Sequence, residues 1–252
     1  MSAAAGKEVT WREGLETPVR WAGAATGVAV NALVSYSPEP DVDLLYGFSV
    51  FGLFVMLGVY ASDVIARPSQ GWVRVADVTP RRIRDHAPRA LTAALMGQAV
   101  VLTGLLIVAA ATASTDADGR ARRAVVVTCP AGTQLLSPWP GPYYAWPILG
   151  GLTVGTVACA VLVRRITVQS RSDDQRRAGV RAAIGAWGMV VSAPLFAVSS
   201  TMGVVVLSLS CGGGVKDAAL WGLALTALTS ALTACHCLCV LLLPQAYVKA
   251  RP

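Results

Sequence analysis

From Ala90 to Thr112 the chain carries no charged side chain. A helix of that length, at about 1.5 Å per residue, crosses the ~30 Å hydrocarbon core of a bilayer. Four other stretches behave alike. Leu44–Ile65 is broken only by Asp63, near its end, and Tyr144–Val163 has no charge. Ala182–Ser210 contains Pro194, which is expected to kink it. Ala218–Leu243 has His236 as its only ionisable side chain besides cysteine. Charge at a membrane centre is strongly disfavoured, so such runs select lipid over water. Composition agrees: 54% of the chain is hydrophobic and 14% charged, against about 25% charged in soluble domains.

A sixth stretch, Thr17–Tyr36, is rich in Ala and Gly and includes Asn31 and Arg20. Arg20 can snorkel to the headgroups. The expectation is an all-α fold, a polytopic transmembrane helical bundle with spans near residues 17–36, 44–65, 90–112, 144–163, 182–210 and 218–243. A cytoplasmic segment 1–16 precedes it and a cytoplasmic tail 244–252 follows. If Thr17–Tyr36 is interfacial or re-entrant, five spans remain. The N-terminus mixes charges (Lys7, Glu8, Arg12, Glu13, Glu16) and has no signal-peptide pattern, so the first span is expected to be an uncleaved anchor.

The net charge of +7 has a topological reading rather than a nucleic-acid one. With the N-terminus inside, the outer segments hold only Arg120, Arg122, Arg123 and Lys216 of the 21 Lys and Arg residues. The rest fall on inner segments, as the positive-inside rule predicts. Aromatic residues near the span edges fit headgroup anchoring: Trp139, Tyr143, Tyr144 and Trp146 in SPWPGPYYAW, and Trp21, Trp187 and Trp221 elsewhere.

Few features carry chemistry. Cys129 and Cys211 both fall on outer segments, where a disulfide can persist; the alternative is two free thiols. Cys235 and Cys239 share a helix face, His236 flanks it, and Cys159 lies at a similar depth. Together Cys159, Cys235, His236 and Cys239 form a candidate set for a soft metal ion such as Cu(I) or Zn(II). The spacing matches no recognised metal motif, and cysteines are also ordinary buried side chains. The inner loop Ala66–Arg89 holds TPRRIRDHAPR, in which Thr79 and Pro80 can start a short basic helix. It suits an intracellular partner or anionic lipid, or is a plain positive-inside loop. Gly151 and Gly155, and Gly97 and Gly104, allow close helix approach, by packing within one chain or, as the alternative, at a dimer seam. No GxxxxGK[ST], HExxH or GxSxG motif occurs, so an enzyme is not expected.

Three phrases carry a resemblance: VADVTPRRIRDHAPRAL (Val75–Leu91), SPWPGPYYAWPILGG (Ser137–Gly151) and DDQRRAGVRAAIGAWG (Asp173–Gly188). They are similar to an uncharacterised family of actinobacterial six-span integral membrane proteins. Its members are often encoded beside a GntR-type regulator and sometimes near ABC transporter genes. The resemblance implies a bacterial plasma membrane and six spans, but neither an activity nor site residues.

The leading expectation is an accessory or permease-like subunit of an envelope or drug-response system, with membrane lipids and another membrane subunit as partners. The runner-up is the membrane subunit of an ABC exporter driven by a separate cytoplasmic ATPase. A metal or redox sensor using the Cys/His cluster is the third.

Overall fold

A computed structural model describes residues 2–34, 40–65, 89–115, 117, 122–130, 132–168 and 173–242, with side chains over 17–33 in the first helix, from Leu45 in the second and from Gln175 in the fifth. Six helices follow in order: α1 (Ser2–Val34), α2 (Pro40–Ile65), α3 (Arg89–Thr112), α4 (Pro142–Val168), α5 (Asp173–Ser208) and α6 (Gly213–Leu242). Proline opens α2 and α4, where its missing N–H costs nothing. Between α3 and α4 lie three short strands: β1 (Ala113–Ser114), β2 (Ala124–Cys129) and β3 (Gly132–Leu136). The protein is an all-α helical bundle with a small antiparallel sheet, ordered β1–β2–β3, at one end.

Among the described residues five helices, α2 to α6, are long and apolar enough to cross a membrane, which makes this a multi-pass membrane protein. In α1, Arg20, Asn31 and the glycines dilute the apolar character of the residues that follow Thr17. Helix α1 begins at Ser2, well before the expected Thr17. Helix α5 begins at Asp173 rather than Ala182. Arg176, Arg177 and Arg181 therefore sit on a helix, not in a loop.

Helix α5 is the hub. It packs against α2, α3, α4 and α6, while α1 lies mainly on α2. Its apolar stretch is 61% buried, against 17% for α6 and 22% for α3 and α4, so the other helices shield α5 and turn their own outer faces outward. Two buried clusters meet along it. One joins Ala183, Ala186 and Met189 to Val59, Leu95, Leu162 and Cys237. The other joins Leu195, Val198 and Met202 to Leu106, Trp139, Tyr144 and Leu223. Helix α5 runs unbroken through Pro194. Trp187, expected at a span edge, is buried instead, and its indole N–H donates to Thr156 Oγ1 at 3.0 Å. Trp21, Trp146 and Trp221 are exposed.

Small residues set the closest approaches. Gly23 of α1 meets Gly58 of α2, where a Cβ on Gly23 would stand 2.7 Å from the Gly58 Cα. Gly27 meets Phe51 one turn further along. This Gly23-x-x-x-Gly27 pair allows α1 to lie against α2. Gly155 of α4 faces Val190 of α5, as expected of a pair that packs within the chain, and Gly151 faces Ser49. Gly97 and Gly104 do not serve this purpose, because nothing lies within 4 Å of a Cβ built on either. They sit on the outer face of α3, where no helix presses.

These contacts separate two glycine pairs that look alike in the sequence. Gly155→Leu is expected to destabilise the bundle by about 1–3 kcal/mol through overpacking against Val190. Gly104→Leu is expected to leave stability unchanged or raised. Thermal unfolding of both variants in the same detergent checks this, and equal losses would contradict the packing.

Candidate functional site

The two ends of the bundle carry different chemistry. At the sheet end, β2 is a β-branched run, Val125–Val126–Val127–Thr128, suited to a pleated strand. It turns through Pro130 into β3, with Gly132 at φ 133°. The run and its turn were legible in the sequence as a hairpin signal, but the all-α expectation passed over them. The sheet is fastened twice to the α5–α6 turn. Cys129 and Cys211 form a disulfide with Cα atoms 5.8 Å apart. Beside it, Gln134 Nε2 donates to Ser210 Oγ at 2.6 Å, and Ser210 N–H donates to Gln134 Oε1 at 3.2 Å. In the turn, Gly212 and Gly213 take positive φ, a backbone region open to glycine. Lys216 Nζ then donates to the end carbonyls of Leu207, at 3.1 Å, and Leu209, which suits a cation at a helix C-terminus.

The aromatic segment does more than mark a headgroup level. Trp139 is buried, and its indole N–H donates to Ala109 O at 2.9 Å and to Thr112 Oγ1 at 3.1 Å, closing the last turn of α3. Tyr46 of α2 donates to the Tyr143 carbonyl at 2.8 Å, and its ring stacks near both Tyr143 and Tyr144. The Arg123 guanidinium lies 3.8 Å from the Tyr143 ring centre, within cation–π range. Arg123 is buried; in the sequence it looked like a loop charge.

At the opposite end, three helices bring polar groups together. Arg20 Nε of α1 donates to Ser62 Oγ of α2 at 3.2 Å, and Ser62 Oγ donates to Val59 O at 2.8 Å. Asp63 and Arg176 are both buried, at 6% and 4% exposure. Each engages in a polar or electrostatic interaction. The contacts of Gly52 with Val190 and of Phe48 with Phe196 show that α2 and α5 run antiparallel. Counted from Gly52 and Val190, Asp63 and Arg176 come to within about one helical turn, ~5 Å, of the same level. Nearby, Arg165 donates to the Tyr60 hydroxyl at 2.5 Å. Buried ionisable groups in a membrane bundle are costly and concentrate where function lies. Arg20, Ser62, Asp63 and Arg176 are therefore the candidate site. Sequence reasoning missed Arg176 because the early start of α5 was not visible in the apolar pattern.

The candidate metal set does not assemble. Cys235, His236 and Cys239 are exposed on the outer face of α6, whereas Cys159 is buried against α5, its thiol 3.6 Å from the Ala183 carbonyl. The α6 thiol that faces the core is Cys237, set against Gly188. The physical reason is rotation: the face shared by residues 235 and 239 is turned away from the one that meets α5. Among the described residues, no group of three or more His, Cys, Asp or Glu is placed to hold a metal ion. The basic loop segment with Thr79, Pro80 and His86 lies outside the described residues. No family model, curated protein or solved structure matches the chain.

The cysteine arrangement can be counted directly. Denatured protein without reductant is expected to take up four maleimides, at Cys159, Cys235, Cys237 and Cys239, and six after reduction. Mass spectrometry reads the difference, and six additions without reductant would contradict the bond. Replacing Cys129 and Cys211 by Ser is expected to lower stability by about 2–4 kcal/mol, measured by unfolding in detergent.

Proposed function

We infer that the chain is an accessory or permease-like subunit of an envelope or drug-response system and not an enzyme. In this reading it lies in a bacterial plasma membrane, with six spans and both termini in the cytoplasm. The observation that carries this reading is the Arg20–Ser62 bond between α1 and α2, together with the burial of Asp63 on α2 and Arg176 on α5 at the same end of the bundle. That end also holds Arg164 and Arg165 of α4 and Arg177 and Arg181 of α5. A partner bound there acts on the helices that meet at that end, including the central α5.

Two facts support the orientation. The Cys129–Cys211 disulfide is at the sheet end, and disulfides persist outside the cytoplasm. The arginine asymmetry assigns the same end to the outside. The sixth span is supported by α1 itself: it lies along α2 from Gly23 to Gly27, and Arg20 is held by Ser62. The plasma membrane rests on the resemblance to the actinobacterial family. In the alternative reading the protein is the membrane subunit of an ABC exporter, and its partner is a stoichiometric ATPase.

Affinity purification in mild detergent is expected to recover a stoichiometric partner, an ATPase under the alternative. Asp63→Asn and Arg176→Gln are expected to reduce that recovery without lowering the amount of chain in the membrane. A chain that purifies alone, with both variants supporting growth under envelope stress as well as the native protein, would sink the proposal. Impermeant thiol reagents in intact cells are expected to reach a cysteine placed at Ala117 but not one placed at Arg177, which tests the orientation separately.

A further inference from the structure

We propose that the ends of α3 and α4 opposite the sheet bind anionic phospholipid, with acyl chains along their exposed aliphatic faces and phosphate on Arg89 and Arg164. Each face runs into its arginine. On α3, exposed Met96, Val100 and Ile107 follow exposed Arg89 at close to whole numbers of helical turns, so all four share one face. On α4, exposed Val157 and Val161 share a face with exposed Arg164.

The two arginines stand at one depth. A Cβ on Gly179 would lie 3.3 Å from Ile166, and Gly155 meets Val190. Helix α4 therefore runs antiparallel to α5, and Arg164 comes level with Arg181. A Cβ on Gly188 would lie 3.3 Å from Leu95, and Leu106 shares a buried cluster with Val198. Helix α3 therefore runs parallel to α5, and Arg89 also comes within about one turn, ~5 Å, of the level of Arg181. That level is the edge of the hydrocarbon. The uncharged stretch Tyr144–Val163, long enough to cross the ~30 Å core, ends one residue before Arg164.

Depth and charge select the occupant. A soluble partner meets the ends of helices, whereas Arg89 and Arg164 continue the sides that face the tails. A guanidinium placed there meets lipid phosphate, and its planar fork matches two phosphate oxygens. Among the described side chains, the carboxylate at this level is Asp63, and it is buried. A zwitterionic phospholipid brings its own cation against the arginines; an anionic one does not, and keeps the full attraction. That the leaflet is the cytoplasmic one rests on the orientation proposed above; the preference for anionic lipid does not.

Native mass spectrometry of the detergent-purified chain, with phosphatidylglycerol or phosphatidylcholine added, tests this. Phosphatidylglycerol is expected to bind tighter than phosphatidylcholine by about fivefold or more. Arg89→Gln and Arg164→Gln are each expected to lower phosphatidylglycerol affinity about fivefold and to leave phosphatidylcholine affinity unchanged. Arg164→Lys, which keeps the charge, is expected to lose less than Arg164→Gln. Arg122→Gln, at an exposed arginine of the sheet end, is expected to change neither affinity. Equal affinity for the two lipids, or the same loss in Arg122→Gln as in Arg164→Gln, would each overturn the proposal. Either result would leave the partner and the orientation proposed above standing.

Discussion

Lipid tails offer no hydrogen bonds, so each segment in the membrane must satisfy its own backbone. That constraint makes the spans helices and leaves irregular backbone and strands to the ends. The sheet of β1–β3, the α5–α6 turn and the proline-rich approach to α4 all lie at the bundle's end. Their polar groups are met there by specific partners. Trp139 donates to the last turn of α3, Lys216 donates to the last turn of α5, and Gln134 bonds Ser210.

Because tails are as apolar as leucine, burial of apolar surface does little to hold helices together in lipid. Close packing and a few polar contacts take over that role. Gly23 against Gly58 and Gly155 against Val190 bring backbones near enough for extensive dispersion contact. Gln98 of α3 donates to Thr233 of α6 at 2.9 Å, and Trp187 of α5 donates to Thr156 of α4. Interhelical bonds of this kind contribute on the order of 1 kcal/mol each. The result is an enclosed α5, with the other described helices around it or on its neighbours. The ends differ in how they are secured: one by a covalent bond and a sheet, the other by side-chain bonds of Arg20 to Ser62 and of Arg165 to Tyr60. The second kind of fastening can rearrange; the first cannot without reduction.

The uncharged runs and the arginines between them were enough to place α2, α3, α4 and α6, because length and polarity decide whether a segment enters lipid. The pairing of Cys129 with Cys211 was readable as a possibility from their shared side. Rotation about each helix axis was not readable, since α6 is apolar all round and no periodic stripe shows which face turns inward. Only packing against α5 decided that Cys237 faces the core while Cys235, His236 and Cys239 face out. In the same way Gly151 and Gly155 found a partner and Gly97 and Gly104 did not. Arg123 and Arg176 were legible only as charges. Their burial depends on a stacked Tyr143 ring in one case and on an early helix start in the other, and neither can be seen without the fold.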